Sequence, residues 1–305
     1  MSAPQLPAEI QVLERGWLSA NCILAFDGGE ATLIDSGYVT HAAQTLALVE
    51  HALAGRRLTR LYNTHVHSDH MGGNAALQAR HGCEIHIPAG HAERVTAWDE
   101  SALLLAPLGQ QAAPFRHDGA VMPGDRPVFA EREWQVLAVP GHDMEAVAYF
   151  QPESGLLLSG DALWQDGFGV VFPELIAEPG GFAATRATLD LLARLPLRTV
   201  VPGHGAAFAD VDAALQRAYA RLDYLSGAPE RLARLALKVI FVFHLLEKRR
   251  LPRATLAAHL QGLSFVAEVN QRFLGLPPGA LADWLTAELA RAGVLRLEDD
   301  WVLAA

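Results

Sequence analysis
Cysteine is nearly absent from this 305-residue chain, with Cys22 and Cys83 as the whole supply. Two thiols cannot build a disulfide framework or a thiolate zinc cage, and both read as reduced core residues. Any metal must then be held by histidine and carboxylate. Long apolar runs are missing too. A bilayer span takes roughly 18–20 consecutive apolar residues, and the best stretch, VIFVF at 239–243, is flanked by Lys238 and His244. The opening MSAPQLPAEI has neither a basic start nor an apolar run, so no secretory signal and no membrane partner are expected, and the protein is expected to be cytoplasmic.

A basic excess is also lacking. The formal charge is −10, and residues 1–220 hold 13 lysines and arginines against 25 acids, whereas 221–305 hold 11 against 9. Neither part carries the cations that phosphate neutralisation requires, so nucleic acid is an unfavoured partner. What is present in quantity is apolar: 51% hydrophobic and only 19% charged residues suffice for one large core, or for a domain with an appendage.

Strand-like segments recur early, at IQVLER, NCILAF and ATLID, with DGG at 27–29 as the turn between the last two. A helical pattern over 40–54, a strand RLYNT, a helix to Arg80 stopped by Gly82, and strands at 83–87, 134–140, 146–150, 155–160 and 198–203 follow. Helices near 181–195 and 209–226 lie between or after them. Sheets covered by helices, an α/β (α+β) architecture, fit this order better than a bundle. The motif of a strand running into a histidine loop occurs twice, at YNTHVHSDH and at VLAVPGHD, a coarse internal echo. From about 228 the pattern turns helical and ends in VLRLEDDWVLA, which alternates around Asp299 and Asp300 like a hairpin. Domains are therefore expected at 1–227 and 228–305, the second small, helical and winged-helix-like. Its third helix offers too few cations to read DNA, so a packing or dimerisation module is the preferred reading, with a homodimer left open. Lys248, Arg249, Arg250 and Arg253 read as a solvated cluster at a helix end.

The densest chemistry lies in NTHVHSDHMGGN, where His65, His67, Asp69 and His70 fall within six positions. Two histidines two apart face the same way in an extended loop, while Asp69 and His70 fall on the following turn, so one loop can feed two adjacent cations. Gly72 and Gly73 let backbone approach that turn closely. Four groups do not fill two coordination shells. His142 in VPGHD, Asp161 in LLSGD and His204 in VPGHG stand at the ends of strand-like segments, where one sheet edge can present them together.

These motifs, with ATLIDSG carrying Asp35, resemble the metallo-β-lactamase superfamily of αββα hydrolases and span residues 31–204 in that family's order. The resemblance implies that His65, His67 and His142 bind a first metal, that Asp69, His70 and His204 bind a second, and that Asp161 bridges them. It makes Asp35 an organiser of the histidine loops, behind the ligands. Two divalent ions are implied, zinc foremost, with iron or manganese as alternatives. Such a pair lowers the pKa of a shared water from near 16 to about 7, supplying hydroxide at neutral pH, and Asp69 is the catalytic residue expected to orient it and return its proton to the leaving group. Asp161 disfavours a true β-lactamase; the glyoxalase II, lactonase and LACTB2-like group resembles the chain better. A small ester, thioester or lactone is the expected substrate. The alternatives are a metal-dependent endoribonuclease, a mononuclear-iron sulfur dioxygenase using His65, His142 and Asp161, and a protein that binds metal without turnover. Residues 101–125, apolar and without period, read as a lid-type loop. Trp164, Phe168 and Phe172 in the loop after Asp161 could line an apolar acyl pocket, or pack against the C-terminal helices. The remaining histidines, His91 among them, read as surface or packing residues.

Overall fold
The computed structural model describes residue 4, residues 6–176 and residues 180–305. The chain divides into two compact units, Met1–Leu103 with Gln111–Asp223, and Leu104–Gln110 with Tyr224–Ala305.

The first unit holds two sheets. In the larger, strands β1 (Ile10–Leu13), β2 (Cys22–Asp27), β3 (Glu30–Ile34), β4 (Arg57–Tyr62), β5 (Glu84–Pro88) and β6 (Gly119–Val121) lie side by side in chain order. The first three pair antiparallel; β3 to β6 pair parallel. Parallel neighbours need crossovers, and helices α1 (Ala42–Leu53) and α2 (Asn74–His81) supply two of them. The smaller sheet contains β7 (Gln135–Ala138), β8 (Val147–Gln151), β9 (Leu156–Gly160) and β10 (Thr199–Pro202), in the order β10-β9-β8-β7 with β9 and β10 parallel. Helix α3 (Gly181–Ala193) lies between β9 and β10 in the chain, and α4 (Val211–Ser226) follows β10.

Alternation places the core between the sheets. Ile23 and Ala25 of β2, Tyr62 of β4, Val147 and Tyr149 of β8, and Leu156 and Leu158 of β9 belong to one buried cluster with Trp134 and Phe129, each pair two residues apart as a strand face requires. The opposite faces are apolar as well, since Leu24, Leu33, Leu61, Ile85 and Ile87 are buried, as expected of a sheet covered on its second face by helices. Trp134 is fully buried, stacked on Phe129, and its indole N–H donates to the Phe129 carbonyl at 3.0 Å.

In the second unit, α5 (Pro229–Lys248) buries Leu232, Ala236, Leu237, Ile240, Phe241 and Leu245 along one stripe. Strand β11 (Arg250–Pro252), helices α6 (Leu256–Gln261), α7 (Ser264–Val269) and α8 (Pro278–Arg291), and the hairpin of β12 (Leu295–Glu298) and β13 (Trp301–Ala304) complete it, with the sheet order β11-β13-β12. The hairpin expected around Asp299 is present, and Asp299 takes the left-handed conformation (φ 48°) that the turn needs. The segment 101–125 is not one loop. Residues Leu104–Gln110 belong to the second unit and contain the helical turn Leu105–Leu108, in which Leu105 and Leu108 are buried, and residues 119–121 are the edge strand β6. Serving different structures within 25 positions leaves it no single period. Among the described residues no helix is long and apolar enough to cross a membrane.

Candidate metal centre
The parallel trio β3, β4 and β5 ends at one edge of the larger sheet, and each strand delivers a functional group just past its last residue. Asp35 follows β3, the His65–His70 loop follows β4, and the turn Ala89–His91 follows β5. From the smaller sheet, His142 follows β7, Asp161 directly follows β9, and His204 follows β10. Loops at the carboxyl ends of parallel strands are the usual place for a site, because the scaffold holds them rigidly while their side chains stay free to converge.

They do converge. His65, His67 and His142 form one group, Asp69, His70 and His204 a second, and His65, His70 and Asp161 a third, the potential ligand atoms within each group lying within 4.8 Å of one another. Asp161 reaches across them: its Oδ1 is 3.3 Å from His70 Nε2, and its Oδ2 is 3.4 Å from His142 Nε2 and 4.0 Å from His204 Nε2. His67 Nδ1 faces His142 Nε2 at 2.8 Å, and His204 Nε2 faces Asp69 Oδ2 at 3.0 Å. All seven residues singled out in the sequence are thus drawn together across about 140 positions of chain.

Backbone packing makes the convergence possible. At Gly203 an added Cβ would run into Asp161 Oδ1 and His70 Cε1, and at Gly73 into the Ser36 carbonyl, so each position needs a residue without a side chain. Asp35, in the left-handed region at φ 58°, accepts four hydrogen bonds: from the Thr64 backbone N–H (2.9 Å), Thr64 Oγ1 (2.8 Å), the Asn63 amide (3.3 Å) and His70 Nδ1 (2.8 Å). It therefore pins the start of the histidine loop and fixes the His70 ring with Nε2 toward the centre. His142 Nδ1 donates to the Val170 carbonyl at 2.6 Å, and His65 Nδ1 lies 3.1 Å from Thr64 Oγ1.

The electrostatics call for positive charge. Burial alone would lower the His70 pKa, but Asp161, Asp35 and Asp69 around it outweigh burial and hold it well above the usual histidine range. Burial and the neighbouring His142 push His67 down to about 3, and burial with His70 and His67 depresses His65. Burial would raise Asp161, but His70 and His204 hold its carboxyl below the usual range. Two crowded imidazoles, His65 and His67, that resist protonation, and carboxylates that stay ionised and draw positive charge onto His70, are together the donor set of a divalent cation. His65 Nε2 and His70 Nε2, buried and without a hydrogen-bond partner, are the lone pairs such an ion would satisfy.

The profile of the metallo-beta-lactamase superfamily matches residues 15–204, from ahead of β2 to the last histidine of this set. The chain belongs to the metallo-beta-lactamase superfamily. Curated relatives within reach are hydroxyacylglutathione hydrolases. That of Rhodospirillum rubrum is 33% identical over 147 residues, 48% of either chain, and that of Fuscovulum blasticum is 32% identical over 177 residues, 58% of either chain. The chain spans about half the length of the curated relatives it matches. Among solved structures, a beta-lactamase domain protein from Burkholderia ambifaria is similar at a TM-score of 0.61 and 20% identity, covering 99% of this chain and 94% of that one. That likeness extends the shared fold over nearly the whole chain of this superfamily member.

Around the centre stand aromatic walls. Trp164 donates its indole N–H to Asp161 Oδ1 at 3.2 Å, and Phe172 meets the rings of His67 and His142 at centroid distances of 5.3 and 5.5 Å. Phe168 is buried, with the Arg221 guanidinium 5.7 Å over its ring. Three residues at the site were not singled out in the sequence. Trp17, 61% exposed, stacks on the His204 ring at 5.3 Å and meets Trp164 edge-on. His91 is buried, and its Nε2 lies 3.1 Å from Asp143 Oδ1. Asp143 has a single signal in the sequence, its place directly after the ligand-type His142.

Proposed function
We propose that this protein is a dinuclear metal-dependent hydrolase of a small ester, thioester or lactone. The observation that carries the reading is the shared carboxylate: Asp161 faces both histidine groups at 3.3–4.0 Å, a position that serves two adjacent cations and that a single-ion site would not need. His65, His67 and His142 would hold one cation and Asp69, His70 and His204 the other, with Asp161 between. When bound, such a pair supplies Lewis acidity toward the substrate's carbonyl oxygen and lowers the pKa of water. The imidazole and carboxylate set suits zinc, with iron or manganese as alternatives.

The protein's own groups then set the geometry. Asp69 has the most open side chain of the acidic groups here, 16% exposed against 7% for Asp161 and 1% for Asp35. It orients the attacking water by accepting its hydrogen and passes that proton to the leaving atom. Trp164 and Phe172, with buried Phe168 in the same loop, form an apolar wall for the acyl part, and exposed Trp17 extends that wall to the rim. The hydroxyacylglutathione hydrolase names of the relatives support a thioester among the three linkages.

The test is reconstitution of metal-free protein with zinc, iron or manganese, followed by a panel of esters, thioesters, lactones and phosphodiesters. Metal-dependent cleavage of an acyl substrate with two ions per chain is the expected result. One iron per chain with oxygen consumption on a persulfide, or cleavage of single-stranded RNA, would replace the reading.

A further inference from the structure
Three histidines of the proposed centre have their rings held from behind so that one nitrogen faces inward, whereas His204 has no hydrogen-bond partner at Nδ1 and is stacked by Trp17. Asp35 does this for His70, the Val170 carbonyl for His142 and Thr64 for His65. His67 has no such partner on its own element. Its Nδ1 faces His142, and its Nε2 points the other way, 3.7 Å from Asp143 Oδ2. The second oxygen of the same carboxylate lies 3.1 Å from His91 Nε2. We propose that His91 and Asp143 form a two-residue relay that positions His67 for the first cation, with His91 steadying the carboxylate that fixes the His67 ring.

Three observations converge on this. His91 is 1% exposed and neither ring nitrogen completes a hydrogen bond, so the Asp143 carboxylate 3.1 Å from Nε2 is the polar group that faces it, and burying an imidazole is costly unless such a partner is there. Asp143 Oδ1 also accepts the Glu145 backbone N–H at 2.8 Å, which locks its carboxylate in place. The side chain of Glu145, two residues past Asp143, reaches the turn carrying His91, where an added Cβ at Gly90 would meet its carboxylate. An imidazole with one nitrogen aimed at an ion and the other at a carboxylate is the arrangement that fixes tautomer and ring angle in metal sites, and its loss costs about 10–100-fold in metal affinity. The 3.7 Å gap from His67 Nε2 would have to close by less than about 1 Å to become a hydrogen bond. His91 and Asp143 are positioning residues; neither faces the reacting atoms.

The inference rests on the proposed two-cation centre, and one experiment separates the two. Metal-free wild type, His91→Gln, Asp143→Asn and the double variant are titrated with zinc against a competing chelator. Wild type binds two equivalents. Each single variant binds one of them about 10–100-fold more weakly, with the other within about twofold of wild type, and the double variant is no weaker than Asp143→Asn. Asp143→Asn, nearly isosteric, carries the prediction alone should His91→Gln not fold. Wild-type affinity at both sites in Asp143→Asn, or equal weakening of both equivalents, overturns the relay and leaves the centre standing. A wild type that binds fewer than two ions defeats the centre itself.

Discussion
Asp35 concentrates more of the site's order than any single ligand-type residue, because four donors from the histidine loop end on its two oxygens. Asp35→Ala would leave buried donors unpaired and free the His70 ring. We expect a loss of about 3 kcal/mol or more in the stability of the metal-free protein, checked by urea unfolding. Loss of zinc affinity without loss of stability would show that Asp35 is not the anchor. Gly203→Ala works by displacement: its methyl would press on Asp161 and His70. Overpacking of this kind costs about 1–3 kcal/mol, and because Asp161 stands between both proposed cations, zinc titration should show both equivalents weakened, the one at His70 the more. Most of these residues were legible in the sequence because they sit in short, dense motifs at strand ends. His91 and Trp17 were not, since His91 stands 24 positions from His67 and Trp17 stands 187 from His204, the ring it stacks on, and neither carries a local signature.

Helix α5 carries a second buried histidine of interest, wholly within the C-terminal unit. His244 is 2% exposed, and its Nε2 donates to the Leu108 carbonyl at 2.7 Å. Burial lowers its pKa from 6.5 by more than the Leu108 bond raises it, with Glu247 also raising it and Lys248 lowering it; His259 packs edge-on at 5.2 Å. The folded residue therefore stays neutral where the unfolded one takes up a proton. Its contribution to stability is full above about pH 6.5 and falls as the pH drops through that value. The stability difference between wild type and His244→Gln should shrink or reverse between about pH 7 and pH 5, measured by thermal melting; a constant difference would contradict the assignment. At this scale the regular elements were legible where periodicity was sustained, as in the strand at Ile23–Ala25 and the stripe of α5. They were illegible where an element is too short for a period, as in β6, α7 and the turn at 105–108. There, tertiary partners settle the structure, and local propensity carries little of it.

The whole molecule joins two sheets whose strand ends meet at a single edge, and the superfamily's motif order signalled that edge before any coordinate did. What no motif conveyed was that part of the 101–125 segment is built into the second unit, because exchange between units is a property of the folded chain. If the seven groups form one cage, ligand binding should stabilise the fold by mass action, by about 4 kcal/mol at a metal concentration 1,000 times Kd. Zinc should therefore raise the melting temperature of metal-free protein, and chelation should return it to its starting value. The central claim is tested most directly by anomalous diffraction from zinc-loaded crystals. The account predicts two peaks about 3.5–4 Å apart, one against His65, His67 and His142, the other against Asp69, His70 and His204, with Asp161 between them. A single peak, or peaks away from these side chains, would contradict it.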